Sequence, residues 1–141
     1  MRYVTRQRLH VDRIATAWAI RRFVDPQAEF EFVARTGDVP PGAIAFDIRG
    51  AELGHHGGRC TFETLLELHE LRNPALNAMG LIIRGADLPD EPDAPAESIG
   101  VTAIFDGIRA AYDTDLERLE AGRQVCDALY QYCSGQRRGP T

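Results

Sequence analysis

Between Val11 and Val24 the apolar positions Val11, Ile14, Ala15, Trp18, Ala19 and Phe23 recur at helical spacing. Ile20 widens the stripe, so this helix is predicted to be largely enclosed. Asp25-Pro26 ends it, because the residue before a proline disfavours helical backbone. Ahead of it, Tyr3-Val4-Thr5 is a strand candidate leading into Arg6. Beyond it, Glu29-Phe30-Glu31-Phe32-Val33 alternates polar and apolar residues and predicts a strand. Gly37 to Gly42 is a loop with two prolines, and Ala43-Ile44-Ala45-Phe46 is a short buried strand ending at Asp47. Strand, helix, strand, loop, strand implies a parallel βαβ arrangement. The fold class expected is α/β, with a small, mostly parallel sheet of three or more strands in the N-terminal half and a helical C-terminal half.

The helical half follows a Gly- and His-rich loop from Gly50 to Gly58. Thr61 is placed to cap a helix that turns Phe62, Leu65, Leu66 and Leu68 inward. Asn73-Pro74 breaks it, and Leu76, Met79, Gly80 and Ile83 form the next stripe. Gly85 to Pro95, rich in proline, glycine and acid, is predicted to be a surface loop. A third helix carries Val101, Ile104, Phe105, Ile108 and Tyr112. A fourth carries Leu116, Leu119, Cys126, Leu129, Tyr130 and Cys133, capped near Asp113 to Asp115 and stopped at Ser134-Gly135. The Arg-Arg-Gly-Pro-Thr tail is expected to fray.

Length and composition add limits. A chain of 141 residues is expected to be one domain, with residues 1–60 carrying the site and 61–134 the helical part. Net charge is -5, which disfavours non-specific attraction to nucleic acid or anionic membrane. All sixteen basic residues are arginine, which excludes lysine Schiff-base chemistry and a P-loop lysine. Any anion must then meet guanidinium forks or backbone N–H groups. Three cysteines at 60, 126 and 133, with no CxxC, argue for free thiols and a reducing compartment. With no leader pattern and no membrane-length apolar run, a cytoplasmic location is expected.

Two polar clusters stand at predicted strand ends, where ligands collect in open α/β sheets. The first is Arg6, His10, Asp12 and Arg13 at the junction of the first strand and its helix; the second is Asp47 with Gly54-His55-His56-Gly57. Imidazole nitrogen with carboxylate oxygen is a ligand set for Mn, Fe or Zn, so His10, Asp12, Asp47 and His55 are the metal candidates. Arg6 and Arg13, with His56 in support, are the oxyanion candidates. Arg59, Cys60 and Asp87 are further candidates; Asp87 closes an apolar segment, and Cys60 follows Arg59 near a helix start that lowers thiol pKa values.

Each residue alone has an ordinary alternative. His10 can cap the first helix, Asp12 can pair with Arg13 or Arg8, and His55-His56 can be a solvated turn. Cys60, Cys126 and Cys133 read as small core residues, Trp18 as core or interface, and His69 as a surface or half-buried helix residue. The case for a site rests on the residues occurring together at strand ends flanked by glycine.

The chain resembles the C-terminal domain family of ChrB-type chromate resistance proteins. The resemblance is carried by Val4-Thr5-Arg6, His10-Val11-Asp12-Arg13-Ile14-Ala15, Trp18 with Ile20-Arg21-Arg22-Phe23 and Phe46-Asp47-Ile48. It continues through Glu52-Leu53-Gly54-His55-His56-Gly57, Arg59-Cys60-Thr61-Phe62, Ile83-Arg84-Gly85-Ala86-Asp87 and Asp127-Ala128-Leu129-Tyr130. It implies a part in chromate resistance, as a regulator or a detoxification factor, with chromate or a similar oxyanion as ligand. Proteins of this type carry a further N-terminal region associated with regulation. This chain opens at the C-terminal domain, and with its charge of -5 it is not expected to bind DNA by itself.

A more distant similarity is to the metal motifs of DHH phosphoesterases. It would give His10, Asp12, Asp47 and His55 a manganese role and turn His56 toward a phosphate. Gly54 stands where that family has an aspartate, and Arg13-Ile14 replaces a further acid, so one metal or none is implied rather than two. Three functions are carried forward: a metal- and oxyanion-binding domain, a metal-dependent phosphoesterase-like hydrolase, and a partner-binding module using the last helix. A homo-oligomer stays open.

Overall fold

The computed structural model describes residues 1–88 and 90–137, leaving out the side chains of 136 and 137. Three parallel strands, β1 (Arg2–Arg6), β2 (Glu29–Val33) and β3 (Ile44–Ala45), form a sheet in the order β2-β1-β3. The chain therefore leaves the central strand toward one edge and returns to the other. This makes the carboxyl ends of β1 and β3 the switch point of the sheet, where a crevice opens.

Helix α1 (Val11–Ala19) follows β1, and every residue in it except Arg13 is buried. Its broad apolar stripe is matched by packing against several helices: α2 (Thr61–Leu68), α3 (Pro74–Asp87) and α5 (Asp115–Arg137), with α4 (Glu97–Ala111) beyond. From Ile20 to Val24 the helix widens into a π turn, closed by the Asp25 N–H on the Ile20 carbonyl at 2.7 Å, before Pro26 ends it. Trp18, Phe23 and Tyr130 stack edge-on and tilted where α1 meets α5. Tyr3, Phe30 and Phe46 do the same across the sheet.

Several expectations are corrected. Cys60, not Thr61, is the N-cap of α2; it and Glu63 form a reciprocal cap, and Thr61 lies inside the first turn. Leu68, Ile104, Tyr112 and Leu116 face solvent rather than the core. Gly85 to Asp87 are helical, because α3 runs to Asp87 before the loop starts. At Gly85 a Cβ would collide with Ser98 of α4, so glycine is required where the two helices touch. Helix α5 passes through Ser134-Gly135 to Arg137. Pro89 of the expected acidic loop and residues 138–141 of the expected frayed tail lie outside the described residues.

The β2 strand, the stop at Asp25-Pro26 and the break at Asn73-Pro74 agree with the pattern reading; Asn73 is in addition the N-cap of α3, accepting from the Ala75 and Leu76 N–H groups. Cys126 and Cys133 are core residues, and His69 is exposed. Leu119, Cys126 and Cys133 are buried and only Leu116 of the last-helix stripe is fully exposed, which removes the main reason for reading α5 as a partner face.

Candidate functional site

Asp12 sits in the first turn of α1 and is 1% exposed. A carboxylate so deep needs compensation. It comes from the start of α2: the Thr61 N–H donates to Oδ2 and the Phe62 N–H to Oδ1, both at 2.9 Å. These are unpaired donors at the positive end of a helix. Thr16 adds a long contact to Oδ1. Asp12 therefore ties α1 to α2 and keeps one oxygen, Oδ2, facing the loop that holds His55.

His55 is supplied by the Gly-rich loop, whose turns place Gly50, Gly57 and Gly58 in left-handed backbone. Its Nε2 lies 3.0 Å from Asp12 Oδ2, 3.4 Å from Asp47 Oδ1 and 3.3 Å from Asp87 Oδ2. Three carboxylates from α1, the end of β3 and the end of α3 thus meet one ring nitrogen. That nitrogen carries at most one hydrogen. At most one carboxylate can receive it well, and the others face it without a proton between them.

Asp47 itself has φ of 49°, a left-handed conformation that aspartate tolerates better than most residues. It is fixed by its N–H on the Leu53 carbonyl at 2.8 Å and by Arg13, which donates to its carbonyl at 3.2 Å. Arg13 Nε also lies 3.5 Å from Asp47 Oδ2. One Asp47 oxygen therefore faces Arg13 and the other faces His55.

The charges push on each other. Asp12 and then Asp47 hold the imidazolium of His55, whose pKa is pushed up to about 10. Burial, with Asp12 and Asp47 nearby, pushes Asp87 up to about 7. The group Asp12, His55 and Asp87 offers three ligand atoms all within 4.8 Å of one another, with Asp47 touching His55 beside it. Ligand atoms around a transition metal with bonds of about 2.0–2.2 Å are spaced by roughly 3.0–3.5 Å. The three carboxylate separations from His55 Nε2 fall in that interval. The donor set of one imidazole and carboxylate oxygens suits Mn, Fe or Zn.

The other sequence candidates are placed elsewhere. His10 is the N-cap position of α1 but makes no side-chain cap; its Nε2 is 2.6 Å from Asp106 of α4, and no contact joins it to the cluster among the described residues. Arg6 is exposed and donates weakly to the Ala34 carbonyl. Arg59 pairs with Glu67. His56 spends Nε2 on the Ala51 and Glu52 carbonyls, at 3.2 and 2.8 Å. Cys60 is fully buried; burial first, then the charge of Asp12, pushes its thiol pKa up, the reverse of the lowering expected from the helix start. Asp12 pairs with neither Arg13 nor Arg8.

Pattern reading missed the backbone donors of Thr61 and Phe62, the Asp106 partner of His10, and Arg49. Arg49 is the one that a signal in the sequence marks: it stands two residues after Asp47 and immediately before Gly50. A cavity of about 380 Å³ opens beside the cluster and is lined by Arg13, Asp47, Arg49, Gly50, His55 and His56 among others. At Gly54, where the DHH motif has an aspartate, a Cβ would stand 3.2 Å from the Ala51 carbonyl, so a side chain there presses on the turn that carries His56.

A family model described as ChrB, C-terminal domain, matches residues 3–133. Protein ChrB of Cupriavidus metallidurans is 37% identical over 137 residues, which is 96% of this chain and 42% of that protein. The chain thus spans under half the length of the curated relative it matches. No solved structure matches it. No helix among the described residues is long and apolar enough to cross a membrane. Matched over nearly its whole length, the chain belongs to the ChrB C-terminal domain family.

Proposed function

We infer that this domain serves chromate resistance through a transition-metal centre formed by Asp12, His55 and Asp87, with Asp47 at its edge. One observation carries this reading: three carboxylates from separate elements converge on a single imidazole nitrogen. The His55 imidazolium and Arg13 offset part of this negative charge, and burial and mutual repulsion penalise the rest. A divalent or trivalent cation supplies the missing positive charge, and Mn, Fe or Zn suits the donors. Arg13, which holds Asp47, lies where a tetrahedral oxyanion such as chromate would approach the centre.

Compared with the ligand set first expected, Asp87 takes the place of His10. The test is the metal content of purified protein, wild type beside His55→Ala and His10→Ala. The reading expects near-stoichiometric metal in wild type and in His10→Ala, and its loss in His55→Ala. Equal metal in wild type and His55→Ala would contradict it. Growth on chromate of cells carrying His55→Ala in place of wild type links the centre to resistance, and unimpaired growth would break that link.

A further inference from the structure

We propose that the cavity beside the centre is a subsite for a tetrahedral dianion that fills only when the centre holds its metal, with Arg49 as the residue that sets anion affinity. This rests on the metal reading above. Three observations carry it. First, the cavity and the cluster share a wall: Asp47 and His55 belong to both. Second, Arg49 lies on the cavity lining, is exposed, and has no hydrogen-bond or ion-pair partner among the described residues. Nearly every other arginine discussed here is already spent, on a carboxylate or a carbonyl. Third, the Nε of Arg13 is buried without a hydrogen bond, its nearest acceptor being Asp47 Oδ2 in an ion pair at 3.5 Å, and its guanidinium borders the same cavity.

The order of filling follows from charge. Without a metal, an entering dianion meets Asp47 on the wall and the charges of Asp12 and Asp87 gathered on His55, which the single charge of the His55 imidazolium offsets only in part. Like charges brought this close repel, the more so where part of the water is excluded. A divalent cation held by these carboxylates would offset most of their charge and would accept an anion oxygen as a further ligand. Arg49 then meets the outer oxygens as a fork, with the charge of Arg13 beside it. His56, with its Nε2 bonded to the Ala51 and Glu52 carbonyls, holds the turn that forms the far side. Linkage requires the reverse effect as well: the anion tightens the metal by the same factor.

Equilibrium dialysis of chromate against the full chain tests this, with metal-free and zinc-loaded samples and zinc measured in each. Zinc does not exchange electrons with chromate, so binding alone is read. Zinc-loaded wild type is expected to bind chromate at least about tenfold more tightly than the metal-free form, within the range of ordinary coupling. Zinc-loaded Arg49→Ala is expected to lose about tenfold, and Arg49→Lys, which keeps the charge without the fork, to fall between. Equal chromate binding by metal-free and zinc-loaded wild type, with zinc confirmed bound, overturns the subsite while leaving the metal centre standing. Zinc-loaded Arg49→Ala binding as wild type overturns the role of Arg49. Failure of wild type to take up zinc overturns both readings.

Discussion

A single oxygen of Asp12, Oδ2, stands 2.9 Å from the Thr61 N–H and 3.0 Å from His55 Nε2. The same atom that anchors the start of α2 also faces the candidate metal centre. Stability and function are therefore joined at Asp12 and separable at His55, whose side chain is 41% exposed. Asp12→Ala leaves two buried N–H groups without their acceptor and is expected to cost about 2–4 kcal/mol. His55→Ala removes a charged partner of Asp12 but leaves its backbone donors in place, and is expected to cost less, about 1–2 kcal/mol in the metal-free protein. Urea unfolding of both variants in chelator checks this, and equal losses would contradict it.

Helix α5 touches the site only indirectly, through α1 and α3. At Gly122 a Cβ would collide with Ile14 Cγ2 and stand 3.3 Å from Phe105. Gly122→Ala gains about 1 kcal/mol of helix propensity. Overpacking in a close core costs about 1–3 kcal/mol and is expected to win. The variant should unfold at lower urea than wild type; a higher midpoint would mean that α1 and α5 separate without cost.

Asp115 holds the turn between β1 and α1. Its carboxylate accepts the Arg8 N–H at 2.9 Å and the Leu9 N–H at 2.8 Å, and pairs with Arg118 at 3.0 Å. Arg8 there has φ of 66°, so the turn needs this support. Burial pushes the Asp115 pKa upward, yet the Leu9 and Arg8 N–H groups and Arg118 outweigh it and hold the pKa below its ordinary value. A lowered folded pKa gives stability that is present above the unfolded value, about 3.9, and lost as pH falls through the folded value. Asp115→Asn should therefore be less stable than wild type at pH 7 by about 1–2 kcal/mol. The difference should shrink as acid protonates wild type below about pH 4. A gap unchanged between pH 7 and pH 3 would contradict this account.

All three thiols are buried. Burial raises the pKa of each, and Asp12 adds to the effect at Cys60. Native protein should react slowly with an aromatic disulfide reagent and release three equivalents only on unfolding. Rapid reaction of one thiol in native protein would show that Cys60 is open to the site.

The strand pattern was legible because β2 alternates cleanly and the apolar run to Phe46 is short and bounded. Helix α1 was legible because its stripe is broad. What periodicity does not carry is the end of a helix set by contact with another. Helix α3 continues through Gly85 because α4 packs against it there, and α5 passes Gly135 where a stop was expected. Of the candidate site, the meeting of Asp12, Asp47 and His55 was legible from carboxylates at strand ends and a glycine-flanked histidine. His10 stands apart from the cluster because it lies two positions before Asp12, and positions two apart at a helix start point in different directions. It meets Asp106. Asp87 is separated by 75 positions from Asp12, and only the packing of α3 on α1 brings it there. The backbone donors on Asp12 have no side-chain signature at all.

The most direct measurement of the central claim is X-ray absorption at the zinc edge of zinc-loaded protein. The account predicts a shell of nitrogen and oxygen at about 2.0–2.2 Å, with one imidazole and no sulfur. A sulfur scatterer at about 2.3 Å, or two or more imidazoles, would contradict it, because it would move the metal to Cys60 or to His10 and His56 and away from the convergence of Asp12, Asp47 and Asp87 on His55.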